Sequence, residues 1–304
     1  MLRQVMEAME LLEGPGTSGE AVRAWLSGYG EVETEVVTVR GNRGVTDCVK
    51  VVIPGAGTGP TLGIIGQLGG VGARPQRLGL VSDADGAIVS LACAAKLISM
   101  GARGERLPGT VIVTTHICPG APIVPHQPTP FMGSPVELPT LLRELVIPKM
   151  EAILSIDTTK GNWVINQPGF AITPTVKEGY ILRVSDDLLR IMSHVTNEPP
   201  AVLAITTQDI TPYGNGLYHL NSIMQPATAT AAPVVGVATT STVPVPGPAT
   251  GANQPFALEQ AARFCLEVAK AFTRGECRFY DPKEFSRLVS LYGPLRQLQT
   301  LGGG

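Results

Sequence analysis

At 304 residues the chain can form one large domain or two small ones, and a chain of this size buries roughly three quarters of its unfolded surface. Hydrophobic residues make up 44% and charged residues 16%, which predicts a large core and a surface covered in part by a second copy, with a large-cored monomer as the other reading. A net charge of −2, without a basic run carrying interleaved aromatics, argues against a nucleic-acid partner. The opening residues lack a signal-peptide h-region, and no apolar run reaches the ~20 residues of a membrane span, so no membrane partner is expected. The cysteines Cys48, Cys93, Cys118, Cys265 and Cys277 are odd in number and form no CxxC pair. They read as reduced thiols of a cytoplasmic protein.

Leu2, Val5, Met6, Met9 and Leu12 recur at helical spacing and predict a first helix, stopped by Gly14-Pro15-Gly16. Thr17 or Ser18 can cap a second helix with Val22, Trp25 and Leu26 on its apolar face. Residues 32–39 alternate polar with apolar, as a half-buried strand does. After the turn at residues 41–44 a second strand is predicted at 48–53. The apolar run 61–66 suits a strand covered on both faces. Asp83-Ala84-Asp85-Gly86 then leads into an apolar helix over 87–100, followed by a strand over 110–115. Further strands are predicted at 152–156, 202–207 and 233–238, and helices at 185–196, 258–272 and 282–292. Long proline-rich loops over 118–139 and 243–255 have the character of binding loops or interface arms. The alternation predicts a three-layer αβα architecture with a central mixed, largely parallel sheet. It forms a single domain over residues 1–292, with 293–304 as a C-terminal tail.

In such a sheet the carboxyl ends of the strands line the ligand crevice. Gln67, His116 and Asp157 each follow a predicted buried strand, with Lys160 just beyond Asp157. Asp209 follows the strand predicted from Val202, and Asp83 and Asp85 precede a helix. Each has a plainer role available. Asp83 or Asp85 can cap its helix, and His116 can be a satisfied structural histidine. Asp157 is the best single candidate, because an acid directly after an apolar strand is costly without a partner. His126 and His194 read as surface residues and His219 as intermediate. A carboxylate–histidine–carboxylate set of Asp83, His116 and Asp157 suits one divalent ion, zinc or manganese, which would activate water. On that reading His116 and Asp85 carry the catalysis, while Gln67, Lys160, Asp209 and His219 face a small-molecule or peptide ligand. The sequence holds no HExxH, GxSxG, Walker or Rossmann motif, so no nucleotide cofactor is expected.

Residues 11–23, with Gly14-Pro15-Gly16-Thr17-Ser18-Gly19-Glu20 and Val22-Arg23, resemble the N-terminal segment of the co-catalytic zinc aminopeptidases, and Gly41-Asn42 resembles the pair that follows there. Residues 61–69 resemble the strand leading to their first metal ligands. Residues 83–97 resemble their bridging aspartate and its helix, 111–120 the strand bearing their catalytic glutamates, and 152–157 the strand ending in a later ligand aspartate. The resemblance implies a zinc-aminopeptidase-like fold and carries over Asp83 and Asp157, with His116 as a substitute ligand. The chain departs from that pattern elsewhere. Gln67-Leu68-Gly69 stands where those enzymes have His-x-Asp, and Thr115-His116 where they have two glutamates. No late histidine occurs over 243–250, and residues 67–83 leave no room for the inserted dimerisation domain of the tetrahedral members. The chain also resembles along its length a bacterial family catalogued only as a domain of unknown function, through residues 155–162, 174–180 and 206–216. The expected function is an aminopeptidase-like hydrolase of a small amide or peptide-like substrate with an altered or single-metal site. The alternative is a non-catalytic oligomeric scaffold or ligand-binding relative.

Overall fold

A computed structural model describes residues 1–67, 69–220 and 222–302. The first helix, α1 (Leu2–Glu13), buries Val5, Ala8 and Leu12. Ser18 is the cap of α2 (Gly19–Ser27), its hydroxyl accepting from the Ala21 amide at 3.2 Å. A hairpin of β1 (Glu33–Gly41) and β2 (Gly44–Ile53) follows, then β3 (Gly59–Gly66). A single 3-10 turn over Ser82–Ala84 opens into α3 (Asp85–Gly101), which leads to β4 (Gly109–Ile117). The rest comprises β5 (Ile123–Val124), β6 (Phe131–Met132), α4 (Leu138–Leu145), β7 (Ala152–Thr158), β8 (Gly169–Ile172), β9 (Val176–Lys177) and β10 (Tyr180–Ile181). Beyond these come α5 (Asp186–Thr196), β11 (Val234–Thr240), α6 (Pro255–Thr273) and α7 (Pro282–Tyr292).

The main sheet runs β1-β2-β4-β3-β7-β11-β9-β10, with β8 also on β11. Its centre, β4-β3-β7-β11, is parallel, and the β1–β2 hairpin and the short strands β8 and β9 extend it antiparallel. Ile64, Ile65, Val111, Ile112, Val113, Ile153, Leu154 and Ile156 are all buried in these adjacent strands, because strands covered on both faces have no exposed positions. The small residues of α3 let it lie close against β3, β4 and β7 while also packing on α1 and α6. With its opening turn, residues 82–101 form a helical stretch long and apolar enough to cross a membrane, which the run-length reading of the sequence missed. Here it is a core helix. The result is the three-layer α/β arrangement predicted from the alternation.

Several elements differ from expectation. Residues 202–207 form no strand. Val202 makes an isolated bridge to Ile172, and Leu203 donates to the Ile172 carbonyl at 2.9 Å. The chain then turns at Thr206, where the Asp209 side chain competes for backbone donors that a strand would use. Helix α4 and the strands β8, β9 and β10 lacked a legible period, being four residues or fewer in the case of the strands. The loop over 118–139 carries the β5–β6 hairpin. Two residues past α7 contact the body of the protein. Arg296 pairs with Glu178, and Gln299 donates at 2.7 Å to the carbonyls of Ala227 and Thr230. All five cysteines are buried free thiols.

Candidate functional site

Parallel register sets the site. Gly66 of β3 pairs with Ile156 of β7, and the Gln67 amide donates to the Ile156 carbonyl at 2.9 Å, so Gln67 and Asp157 leave the sheet side by side. On the other flank of β7, Asp157 pairs with Ala238 of β11, which carries Thr239 to the same edge. The turn over Ser82–Ala84 brings Asp83 and Asp85 over these strand ends.

Two corners of this edge behave differently. In the first, Asp85 is fully buried and saturated with donors. The Lys160 ammonium pairs with Oδ2, the Thr239 hydroxyl donates to Oδ2 at 2.7 Å, and the Asn253 amide donates to Oδ1 at 2.7 Å. Lys160 Nζ also donates to Ser82 Oγ at 3.1 Å. In the second corner, Asp157 Oδ1 accepts from the Thr158 amide and Oδ2 from the Ser222 hydroxyl, each at 2.6 Å. Burial nonetheless lifts its carboxyl to about 7, against the pull of those two hydrogen bonds. Asp83 is 7% exposed, and among the described residues no donor meets its carboxylate. Burial first, then the charges of Asp157 and Asp85, push it up to about 7, while Lys160 pulls it back. Two carboxyls raised to about 7 share close to one proton near neutrality, the condition in which one can give a proton and the other take one.

The loop over 241–253 roofs this edge. The Ser82 amide donates to the Thr250 carbonyl at 2.6 Å, the Val245 amide to the Lys160 carbonyl at 2.9 Å, and the Asn253 amide group to the Val81 carbonyl at 3.1 Å. Gly247 lies directly on Asp83: a Cβ there would fall 1.9 Å from Asp83 Oδ1, so only glycine admits this approach. Gln67 Oε1, Thr158 Oγ1 and Thr240 Oγ1, at the ends of β3, β7 and β11, are buried polar atoms with no hydrogen-bond partner among the described residues. Tyr213 stacks on His219 with ring centroids 4.1 Å apart, and its phenol is held protonated by burial and by the nearby charges of Asp157 and Asp209.

The remaining sequence candidates are committed elsewhere. His116 sits on β4, separated from β7 by β3. Thr46 donates its hydroxyl to the Ile117 carbonyl at 3.1 Å, so it receives the His116 Nδ1 proton at 2.9 Å. The lone pair on Nε2 accepts from the Gly69 amide at 3.1 Å. A neutral imidazole has only that one lone pair, so none is left for an ion. Burial lowers this histidine to about 4 and keeps it neutral. Gly69 approaches so closely that a Cβ would fall 1.4 Å from the His116 carbonyl oxygen. Asp209 staples its own loop, accepting from the Thr206 amide at 2.8 Å, the Thr206 hydroxyl at 3.0 Å and the Leu220 amide at 3.1 Å. His219 Nε2 donates to the Thr211 carbonyl at 3.0 Å. Lys160, expected to face a ligand, is turned inward onto Asp85. Ser222, Thr239, Asn253 and Gly247 were not anticipated. Thr239 alone had a signal, as a polar residue at the end of a buried strand.

The carboxylate–histidine–carboxylate set expected to hold a divalent ion therefore does not come together. Among the described residues no three His, Cys, Asp or Glu side chains converge as metal ligands, and the cationic Lys160 already faces the acids. This donor set does not fit a co-catalytic metal pair.

The sheet order and the covering helices define a three-layer α/β fold. Solved structures agree on the fold. The bottromycin maturation enzyme BotP, in complex with Mn, superimposes with a TM-score of 0.56 at 14% identity, over 89% of this chain and 70% of that one. Cytosol aminopeptidase from Coxiella burnetii gives 0.55 at 12% identity, over 88% and 68%. The LapA aminopeptidase of Legionella pneumophila gives 0.52 at 12%, over 91% and 71%. Residues 37–302 match the family described as "Protein of unknown function (DUF1177)", and the chain belongs to that family. No curated protein matches it in sequence.

Proposed function

We propose that this protein hydrolyses a small amide or peptide-like substrate at the carboxyl edge of its sheet, with Asp83 and Asp157 as the acid–base pair. The observation that carries this reading is the buried Asp83 carboxyl, met by no donor among the described residues and raised with Asp157 to about 7. At neutral pH such a pair holds close to one proton between its members. The ionised member takes a proton from water as the water oxygen bonds to the amide carbon. The protonated member gives its proton to the leaving nitrogen as the carbon–nitrogen bond breaks. The fold similarity to aminopeptidases supports the substrate class by analogy. The low charged fraction further supports a homo-oligomer, and the free thiols a cytoplasmic setting.

The test is release of amine from a panel of aminoacyl amides and dipeptides. Activity with a bell-shaped pH profile, reduced at least about a hundredfold in both Asp83→Asn and Asp157→Asn, is the expected result. The roof favours a second reading, a ligand-binding relative without catalysis, because the stitched loop over 241–253 encloses Asp83. Saturable binding of panel members with no turnover by the wild type would select it.

A further inference from the structure

The Asp85 corner contains a charge that the hydrolytic reading does not use. Lys160 lies three residues beyond Asp157, and its side chain is only 3% exposed. Its ammonium pairs with the fully buried Asp85, whose other contacts are Thr239 and Asn253, and it donates to Ser82 Oγ. Three acids, Asp83, Asp85 and Asp157, are gathered at these strand ends with this one buried ammonium. Desolvated carboxylates so placed need a cation among them. In the BotP structure, on the same fold, the complex is with Mn. Here a divalent ion beside Asp83 would be repelled by the ammonium, with little water to screen it.

We propose that the Lys160 ammonium is the resident cation of this site, a covalently attached substitute for a metal ion, and that it positions Asp85, the opening of α3 and the roof. Asp85 is the first residue of α3, where the unpaired amides favour an anion. Lys160 holds that anion from the strand side and Asn253 from the roof side. The ion pair and the Asn253 hydrogen bond thus tie the segment after β7, α3 and the loop over 241–253 together through Asp85. The assignment concerns a ground-state charge and does not depend on whether the site hydrolyses anything.

The experiment uses the full chain purified without chelator and reads metal content by mass spectrometry and melting temperature with and without millimolar MnCl2. The wild type should carry substoichiometric zinc and manganese, with a melting temperature that MnCl2 leaves in place. Lys160→Met should melt roughly 10 °C lower and gain a rise with MnCl2, since Asp85 is then an unmatched carboxylate. One equivalent of divalent metal in the wild type overturns the proposal. So does a Lys160→Met protein that melts like the wild type or fails to respond to MnCl2. If Lys160→Met does not accumulate as folded protein, the double variant Lys160→Met/Asp85→Asn decides. Recovery of folded protein supports the paired-charge assignment, and failure to recover overturns it.

Discussion

Asp83 and Asp85 stand two residues apart, yet they occupy opposite electrostatic conditions. Asp85 is saturated by an ammonium, a hydroxyl and an amide. Asp83 is nearly as buried, meets no donor among the described residues, and lies beneath a glycine. The first arrangement is what a structural acid needs: its desolvation is offset by a charge and by hydrogen bonds. The second is costly for an ionised carboxyl, and it is the arrangement on which the proposed acid–base role rests. The contrast teaches that position at a strand end or helix start does not by itself mark a catalytic acid. The partners the acid has, or lacks, decide it.

The largest effect expected from breaking this contrast is at Asp85. Asp85→Asn leaves the Lys160 ammonium buried without its counter-ion and should destabilise the protein by about 3–5 kcal/mol, read as the shift of a urea unfolding midpoint. A loss below about 1 kcal/mol would place Asp85 in the same class as Asp83.

At Asp83 the sign reverses. An acid whose folded-state value lies above its ordinary 3.8, here at about 7, binds its proton more tightly when folded. The stability it contributes is fully present below pH ~3.8 and is lost as pH rises from there through about 7. Asp83→Asn removes that loss, so the variant should gain on the order of 4 kcal/mol over the wild type at pH 8 and little at pH 4, in parallel urea titrations. Asn at Asp85 should give no such gain at either pH, and finding one would erase the distinction between the two acids.

The smallest effect concerns the roof. Gly247→Ala places a methyl group on the Asp83 carboxylate, and the loop has to move to admit it. A destabilisation of about 1–3 kcal/mol is expected, with faster amide hydrogen exchange over residues 243–251 and unchanged exchange in β7. Unchanged exchange in the loop would show that the roof does not bear on Asp83.

Much of the framework could be read from the chain. The runs 61–66, 110–115 and 152–156 are apolar without alternation, a pattern that only strands covered on both faces maintain. With the Ala-rich helix after Asp85, they were enough for the layers and for the edge at which polar residues collect. The short strands β8 to β10 escaped because two to four residues carry no period, and residues 202–207 misled because the pairing of Asp209 with Thr206 diverts the backbone.

The sequence by itself determined the α/β layering, the buried central strands and the placement of Gln67, Asp83, Asp85 and Asp157 at one edge, because side-chain periodicity and chain order are local properties. Only the tertiary structure decided which of those acids is satisfied. Lys160, Ser222, Thr239 and Asn253 reach the edge from segments 65 to 168 residues away from Asp157 or Asp85, or by a side chain turned inward. It likewise decided that His116 spends its one lone pair on the Gly69 amide, 47 residues distant, and so is no ligand. Hydrogen-bond saturation and burial are sums over everything that surrounds an atom, and that surrounding is assembled only when distant strands, turns and loops pack together.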